Sequence, residues 1–195
     1  MALGDRPAEP LSPKEVRALL GACDRSGLTG TRNYALMVVM WRGGLRCAEA
    51  LALRPADVDY QLGTVRIRFG KGRRARTVGI DDQALEVIEA WADARLAAGI
   101  GGELLFCRLR GQPGAPLSPW YVRAEMARLT ARAGIGKRAR PHGLRHTMAS
   151  EWVREGVPVT KISRQLGHAS IATTQIYVDH LHPAEVVAVG RARSW

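Results

Sequence analysis

Apolar residues recur along this chain at two spacings. Val16, Leu19 and Leu20 keep a helical period behind Ser12-Pro13-Lys14-Glu15, a capping box with proline at the first helical position; a helix over 13–23 is predicted. Residues 31–42 are apolar nearly all round, the mark of a buried helix, and Gly43-Gly44 ends it. A short helix over 47–53 must stop before Pro55, because the residue preceding a proline avoids helical angles. The spacing then drops to two. Val65, Ile67 and Phe69 alternate with Thr64, Arg66 and Arg68, predicting a half-buried strand, a turn at Gly70-Lys71-Gly72 and a returning strand over 75–80.

Helical signals resume with Asp81 or Asp82 as cap of a helix to about residue 98. A brief strand is expected over 104–107, and an exposed loop over 108–117, where Gly111, Pro113, Gly114 and Pro116 fall. Ser118-Pro119 opens a helix to about residue 133 that carries Arg123, Arg128 and Arg132. Pro141 opens the next helix; shorter ones are expected over 158–165, 170–177 and 183–189. The pattern predicts a mainly α fold with a small antiparallel β-sheet, an α+β domain. Residues 1–11 read as a loose leader.

A chain of 195 residues is long enough for one sizeable core. Its charge narrows the partners: 29 basic residues against 18 acidic ones leave +11, spread along the chain, which favours nucleic acid. Cys23, Cys47 and Cys107 lack metal-type spacing and follow no signal peptide, so reduced thiols in a cytoplasmic protein are expected. The longest apolar run, 35–41, is far too short to span a bilayer, so no membrane partner is expected.

Candidate chemistry collects between residues 141 and 177. Pro141 at the first helical position sets His142 and Arg145 on one face of the first turn, where backbone N–H groups and the dipole favour an anion. His146, then Leu166-Gly167-His168, then Tyr177 follow. An arginine, polar donors and a phenol on adjacent turns suit a phosphodiester. Each residue alone has a commonplace role: Tyr177 as a half-buried core tyrosine, His168 as part of a helix end, His142 and His146 as core histidines. Arg46 could simply pair with Glu49, and Lys71 could be a solvated hairpin tip. Together they are harder to dismiss. The histidines lack acidic or cysteine companions at ligand spacing, so no metal site is expected.

Taken jointly, Gly44-Leu45-Arg46-Cys47-Ala48-Glu49, Lys71 in the hairpin, His142-Gly143-Leu144-Arg145-His146, Leu166-Gly167-His168 and Tyr177 resemble the tyrosine site-specific recombinases, or phage-type integrases. The resemblance runs from about Ser12 to Tyr177, with all six active-site positions filled in order. It implies that Arg46 and Arg145 grip the scissile phosphate, that His168 adds a hydrogen bond, and that Tyr177 is the nucleophile. His142 would assist the tyrosine or orient the phosphate, and Lys71 would protonate the leaving 5′ oxygen. Composition adds to the case for Lys71. Of the 29 basic residues only 4 are lysines, and arginine is a poor general acid.

The resemblance further implies cleavage and rejoining of double-stranded DNA through a 3′-phosphotyrosyl link, without metal or nucleotide cofactor, in integration, excision or resolution of a bacterial or phage mobile element. Arg73, Arg74, Arg76, Lys137, Arg138 and Arg140 are expected to contact DNA, and Glu49 to support Arg46. The expected division is a leader over 1–11, a catalytic domain over 12–180 and a C-terminal helix and tail over 181–195, with no core-binding domain in front. That last helix would dock either on its own domain or on a neighbour. Protomers are expected to be monomers when free and homotetramers on DNA. Two other readings stand beside this one: a type IB topoisomerase-like activity, and a recombinase-derived DNA-binding module that does not turn over.

Overall fold

A computed structural model describes residues 10–68, 75–168, 174 and 191. Its first helix, α1 (Pro13–Gly21), is capped as the sequence predicts. Ser12 Oγ accepts from the Glu15 N–H, and the Glu15 carboxylate accepts from the Ser12 N–H. Leu11 is fastened, where a loose leader is expected. It is buried, and its N–H donates to Thr147 Oγ1 at 2.8 Å. Leu11 and Val16, both buried, fill the two positions of a hydrophobic staple around this cap.

The core is built around α2 (Leu28–Arg42), in which Ala35 to Met40 are all buried. Its first turns begin earlier than the apolar run and bury polar groups, which the period does not reveal. Arg32 Nη1 donates to the Cys107 carbonyl at 3.0 Å, and Asn33 Nδ2 to Glu125 Oε1 at 2.7 Å. The short α3 (Cys47–Leu51) follows, then a 3-10 turn over Pro55–Asp57.

Among the described residues the sheet has three strands, in the order β1 (Val58–Asp59), β2 (Thr64–Ile67), β3 (Arg76–Gly79), antiparallel throughout. β1 is only two residues long and leaves no alternation to read. β2 and β3 pair as the period predicts, with Val65 opposite Val78 and Ile67 opposite Arg76. The strand expected over 104–107 reduces to one bridge, Cys107 to Pro116. That segment is buried and held by other bonds: the Leu105 N–H donates to the Leu53 carbonyl, and Trp91 Nε1 donates to the Leu105 carbonyl.

Asp81, rather than Asp82, caps α4 (Asp82–Ala97), and Ser118 caps α5 (Pro119–Arg132). Then come α6 (Pro141–Arg154) and α7 (Val159–Leu166). α4 and α6 both pack on α2. This brings the start of α6 beside the link between α2 and α3, while α7 lies against α6 and β3. The helices expected over 170–177 and 183–189 lie outside the described residues. Among the described residues no helix is long and apolar enough to cross a membrane.

Candidate active site

Arg145, one turn into α6, is completely buried and joins two distant loops. Its Nη1 donates to the Gly44 carbonyl at 2.6 Å, and its Nη2 donates to the Leu166 carbonyl. The first carbonyl lies two residues before Arg46, and the second lies two residues before His168. One guanidinium therefore ties together stretches more than a hundred residues apart. Both loops turn on a glycine in the left-handed region. Gly44 has φ 63°, and a Cβ there would fall 2.1 Å from the Met148 methyl group. Gly167 has φ 62° and ends α7, with the His168 N–H returning to the Ser163 carbonyl at 3.1 Å.

Arg46 is the residue just before α3, and Glu49 in the first turn of that helix holds it twice. The carboxylate accepts from the Arg46 backbone N–H at 2.9 Å and from its Nη1 at 2.8 Å. Arg76 of β3 grips the same carboxylate from the other side, with both of its bonds at 2.8 Å. Burial alone would raise the Glu49 carboxyl. The Arg76 hydrogen bonds, the Arg46 N–H and the two charges outweigh it and lower the group to about 2. Arg76 also donates from Nε to the Gln165 carbonyl at 3.2 Å and lies flat on Gly167, where a Cβ would come within 2.7 Å of its side chain. The Gln165 side chain donates to the Gly79 carbonyl at 2.7 Å and accepts from the Gly79 N–H at 3.1 Å, fastening α7 to β3.

His168 is half-buried in the gap these groups frame, its Nδ1 2.8 Å from Thr174 Oγ1. Burial, then the charges of Arg145, Arg46, His142 and Arg76, push its pKa down to about 4, so the ring is neutral at pH 7. His142 stands at the rim in edge contact with His146, ring centroids 4.4 Å apart. It is lowered too, by partial desolvation and then by Arg145 and Arg46. Arg46, His142, Arg145 and His168 thus share one neighbourhood. Among the described residues, Arg46, Arg76 and Arg145 bring three guanidinium charges to it against the carboxylate of Glu49. Such a place suits an anion.

The other expected residues fall differently. Lys71, Tyr177, Arg73 and Arg74 lie outside the described residues. Arg76, expected on DNA, is instead committed to Glu49 and Gln165, with its side chain only 13% exposed. The reason is register: Arg76 lies opposite buried Ile67 and two residues from buried Val78, on the inward face of the sheet. Lys137 is likewise engaged, with Glu15 at 2.9 Å and the Pro10 carbonyl at 2.7 Å. Arg138 is exposed. With Arg123 and Arg140 it lines a hollow of about 410 Å3 beside the start of α6. Among the described residues no three of His, Cys, Asp or Glu gather as metal ligands.

The phage integrase family model matches residues 9–183, most of the chain. The chain belongs to that family. It is 32% identical over 168 residues to tyrosine recombinase XerC of Chlamydia muridarum, covering 86% of this chain and 53% of that protein. To the protein of the same name from a Shewanella species it is 33% identical, covering 92% of this chain and 63% of the relative. The chain therefore spans between half and two thirds of these relatives. Among solved structures, XerA recombinase superposes with a TM-score of 0.82 at 30% identity over 98% of this chain and 68% of that one. XerH in a post-cleavage complex with its difH substrate gives 0.78 at 26% identity, covering 98% of this chain and 55% of that one. The catalytic domain of bacteriophage HP1 integrase has the same fold, with a TM-score of 0.63 at 22% identity and 96% of each chain covered. The expected mainly helical integrase fold is the one observed.

Proposed function

We propose that this chain is the catalytic part of a site-specific recombinase that cleaves and rejoins double-stranded DNA through Tyr177. The observation that carries the reading is the meeting of Arg46, Arg145 and a neutral His168, drawn from three separate stretches, in a positively charged pocket. Arg46 keeps part of its side chain open to solvent and presents its fork to the non-bridging oxygens of the phosphate. Arg145 supplies charge from below and fixes the loops that carry Arg46 and His168. His168 donates a hydrogen bond as charge builds on the pentacoordinate centre. In other enzymes a donor aimed at developing transition-state charge is worth roughly 2.7–4 kcal/mol.

The Tyr177 oxygen attacks phosphorus as the bond to the 5′ oxygen breaks. This leaves a 3′-phosphotyrosyl ester and a 5′ hydroxyl whose proton comes from Lys71. His142 assists removal of the phenol proton or holds the phosphate. The bond energy stays in the ester, so the reverse attack reseals DNA without a nucleotide or a metal ion. The catalytic unit spans 12–180, and the homotetramer forms only on DNA, with the 181–195 segment docking between or within protomers. Arg73, Arg74, Arg138 and Arg140 contact the flanking backbone. XerH, the post-cleavage relative, is bound to a DNA substrate, which supports this choice of partner.

Nicked duplexes that lose a short 5′ fragment on cleavage trap the covalent intermediate. Wild-type protein should give a denaturation-resistant adduct on a duplex selected from random sequence, and Tyr177→Phe should bind that duplex without an adduct. Binding with no adduct from the wild type would leave only a DNA-binding module.

A further inference from the structure

The geometry points to Thr174 as a positioning residue that sets the tautomer of His168. Thr174 Oγ1 lies 2.8 Å from His168 Nδ1, and Thr174 is completely buried, so its hydroxyl is shielded from water. A neutral imidazole carries one N–H, and the bond to Thr174 can run either way. If the hydroxyl donates to Nδ1, the hydrogen sits on Nε2 and that nitrogen can donate. If Nδ1–H donates to the hydroxyl, Nε2 is a bare lone pair. A phosphate oxygen only accepts, so only the first arrangement serves a phosphate. The ring cannot escape the choice by taking a second proton at pH 7, because burial and the surrounding arginines oppose it.

The hydroxyl of Thr174 therefore donates to Nδ1, and His168 presents Nε2–H to the pocket. Both the direction of this bond and its catalytic consequence rest on the function proposed above. A valine at 174 keeps the shape of the side chain and removes the donor, whereas a serine keeps the donor.

The test combines two readouts on the full chain. The first is 15N NMR of the His168 ring in the Tyr177→Phe background, with and without duplex, which reports which nitrogen carries the hydrogen. The second is single-turnover adduct formation on a nicked duplex, with Tyr177 intact. The proposal expects an unprotonated Nδ1 in the Thr174 protein, a mixed or reversed tautomer in Thr174→Val, and restoration in Thr174→Ser. Adduct formation should slow about 10- to 100-fold in Thr174→Val, the size seen when the outer partner of a metal-bound histidine is lost, with duplex affinity unchanged and the rate recovered in Thr174→Ser. A protonated Nδ1 in the Thr174 protein, or a Thr174→Val variant with unaltered tautomer and rate, overturns it. If the wild type forms no adduct while the tautomer follows residue 174, the role of Thr174 stands and the recombinase reading falls.

Discussion

Replacing Arg76 with glutamine tests whether this arginine belongs to the frame of the site or to its DNA surface. The change removes two charge-assisted bonds to Glu49 at 2.8 Å and one to the Gln165 carbonyl. It leaves a carboxylate whose side chain is 4% exposed with Arg46 as its remaining guanidinium. Removing one partner of a buried pair costs about 3–5 kcal/mol. A second route gives a similar size. Glu49 falls from an ordinary 4.5 to about 2, and such a fall corresponds to about 3 kcal/mol net of the burial penalty. Because Arg46 still holds the carboxylate, about 3 kcal/mol is expected. In a chain of this size that lowers Tm by about 6–12 °C.

The pH dependence carries its own sign. The folded Glu49 binds its proton less readily than the unfolded chain does, so its stabilisation is complete above 4.5 and is lost as pH falls through about 2. The Tm gap between wild type and Arg76→Gln should stay constant from neutral pH down to about 4.5, then narrow as pH falls towards about 2. Thermal unfolding followed by circular dichroism measures it. A gap under about 2 °C at pH 7 would refute the framing role. Unchanged Tm with a shallower salt dependence of DNA binding would return Arg76 to the DNA surface.

Other outcomes follow from the same geometry. Arg145→Lys keeps the charge but cannot span the Gly44 and Leu166 carbonyls, so Tm and adduct yield should both drop; a variant with wild-type yield would remove Arg145 from the frame. Gly167→Ala should destabilise by at least ~1 kcal/mol, since it forces alanine to a positive φ and into Arg76, measurable by urea unfolding; wild-type stability would contradict that contact. His168 is held near 4 in the fold against an ordinary 6.5, so it contributes a loss of stability as pH falls from 6.5 towards 4, a slope that His168→Gln should remove; an unchanged slope would assign it to other groups. Duplex affinity should fall steeply between roughly 50 and 200 mM salt through counterion release, and a flat response would count against a basic DNA surface.

The parts of this molecule written in local chemistry were legible in the sequence. The Ser12 capping box, the Ser118-Pro119 and Pro141 starts and the alternation in β2 and β3 all act over a few residues, and they placed most of the elements. The resemblance grouped Arg46, His142, Arg145 and His168, and in the structure the charges of Arg46 and Arg145 reach both histidines. What remained hidden depends on contacts across long separations. Gln165 reads as one more polar residue on a helix, yet it fastens that helix to β3. Arg76 looked like part of a basic hairpin. Its inward face was readable from the same alternation that placed Val78, but the charge of its neighbours drew attention to DNA. Arg32 and Asn33 fall within the stretch that reads as apolar nearly all round, yet both are buried with polar partners on distant segments.

The central claim is that the charges gathered by Arg46 and Arg145 act on the phosphate that reacts. Single-turnover cleavage should be compared on two duplexes, one natural and one with an uncharged methylphosphonate at the scissile position, using wild type and Arg46→Ala. On the natural duplex the substitution should slow cleavage about 10²- to 10³-fold. On the neutral one most of that penalty should vanish. An equal penalty on both duplexes would contradict the account.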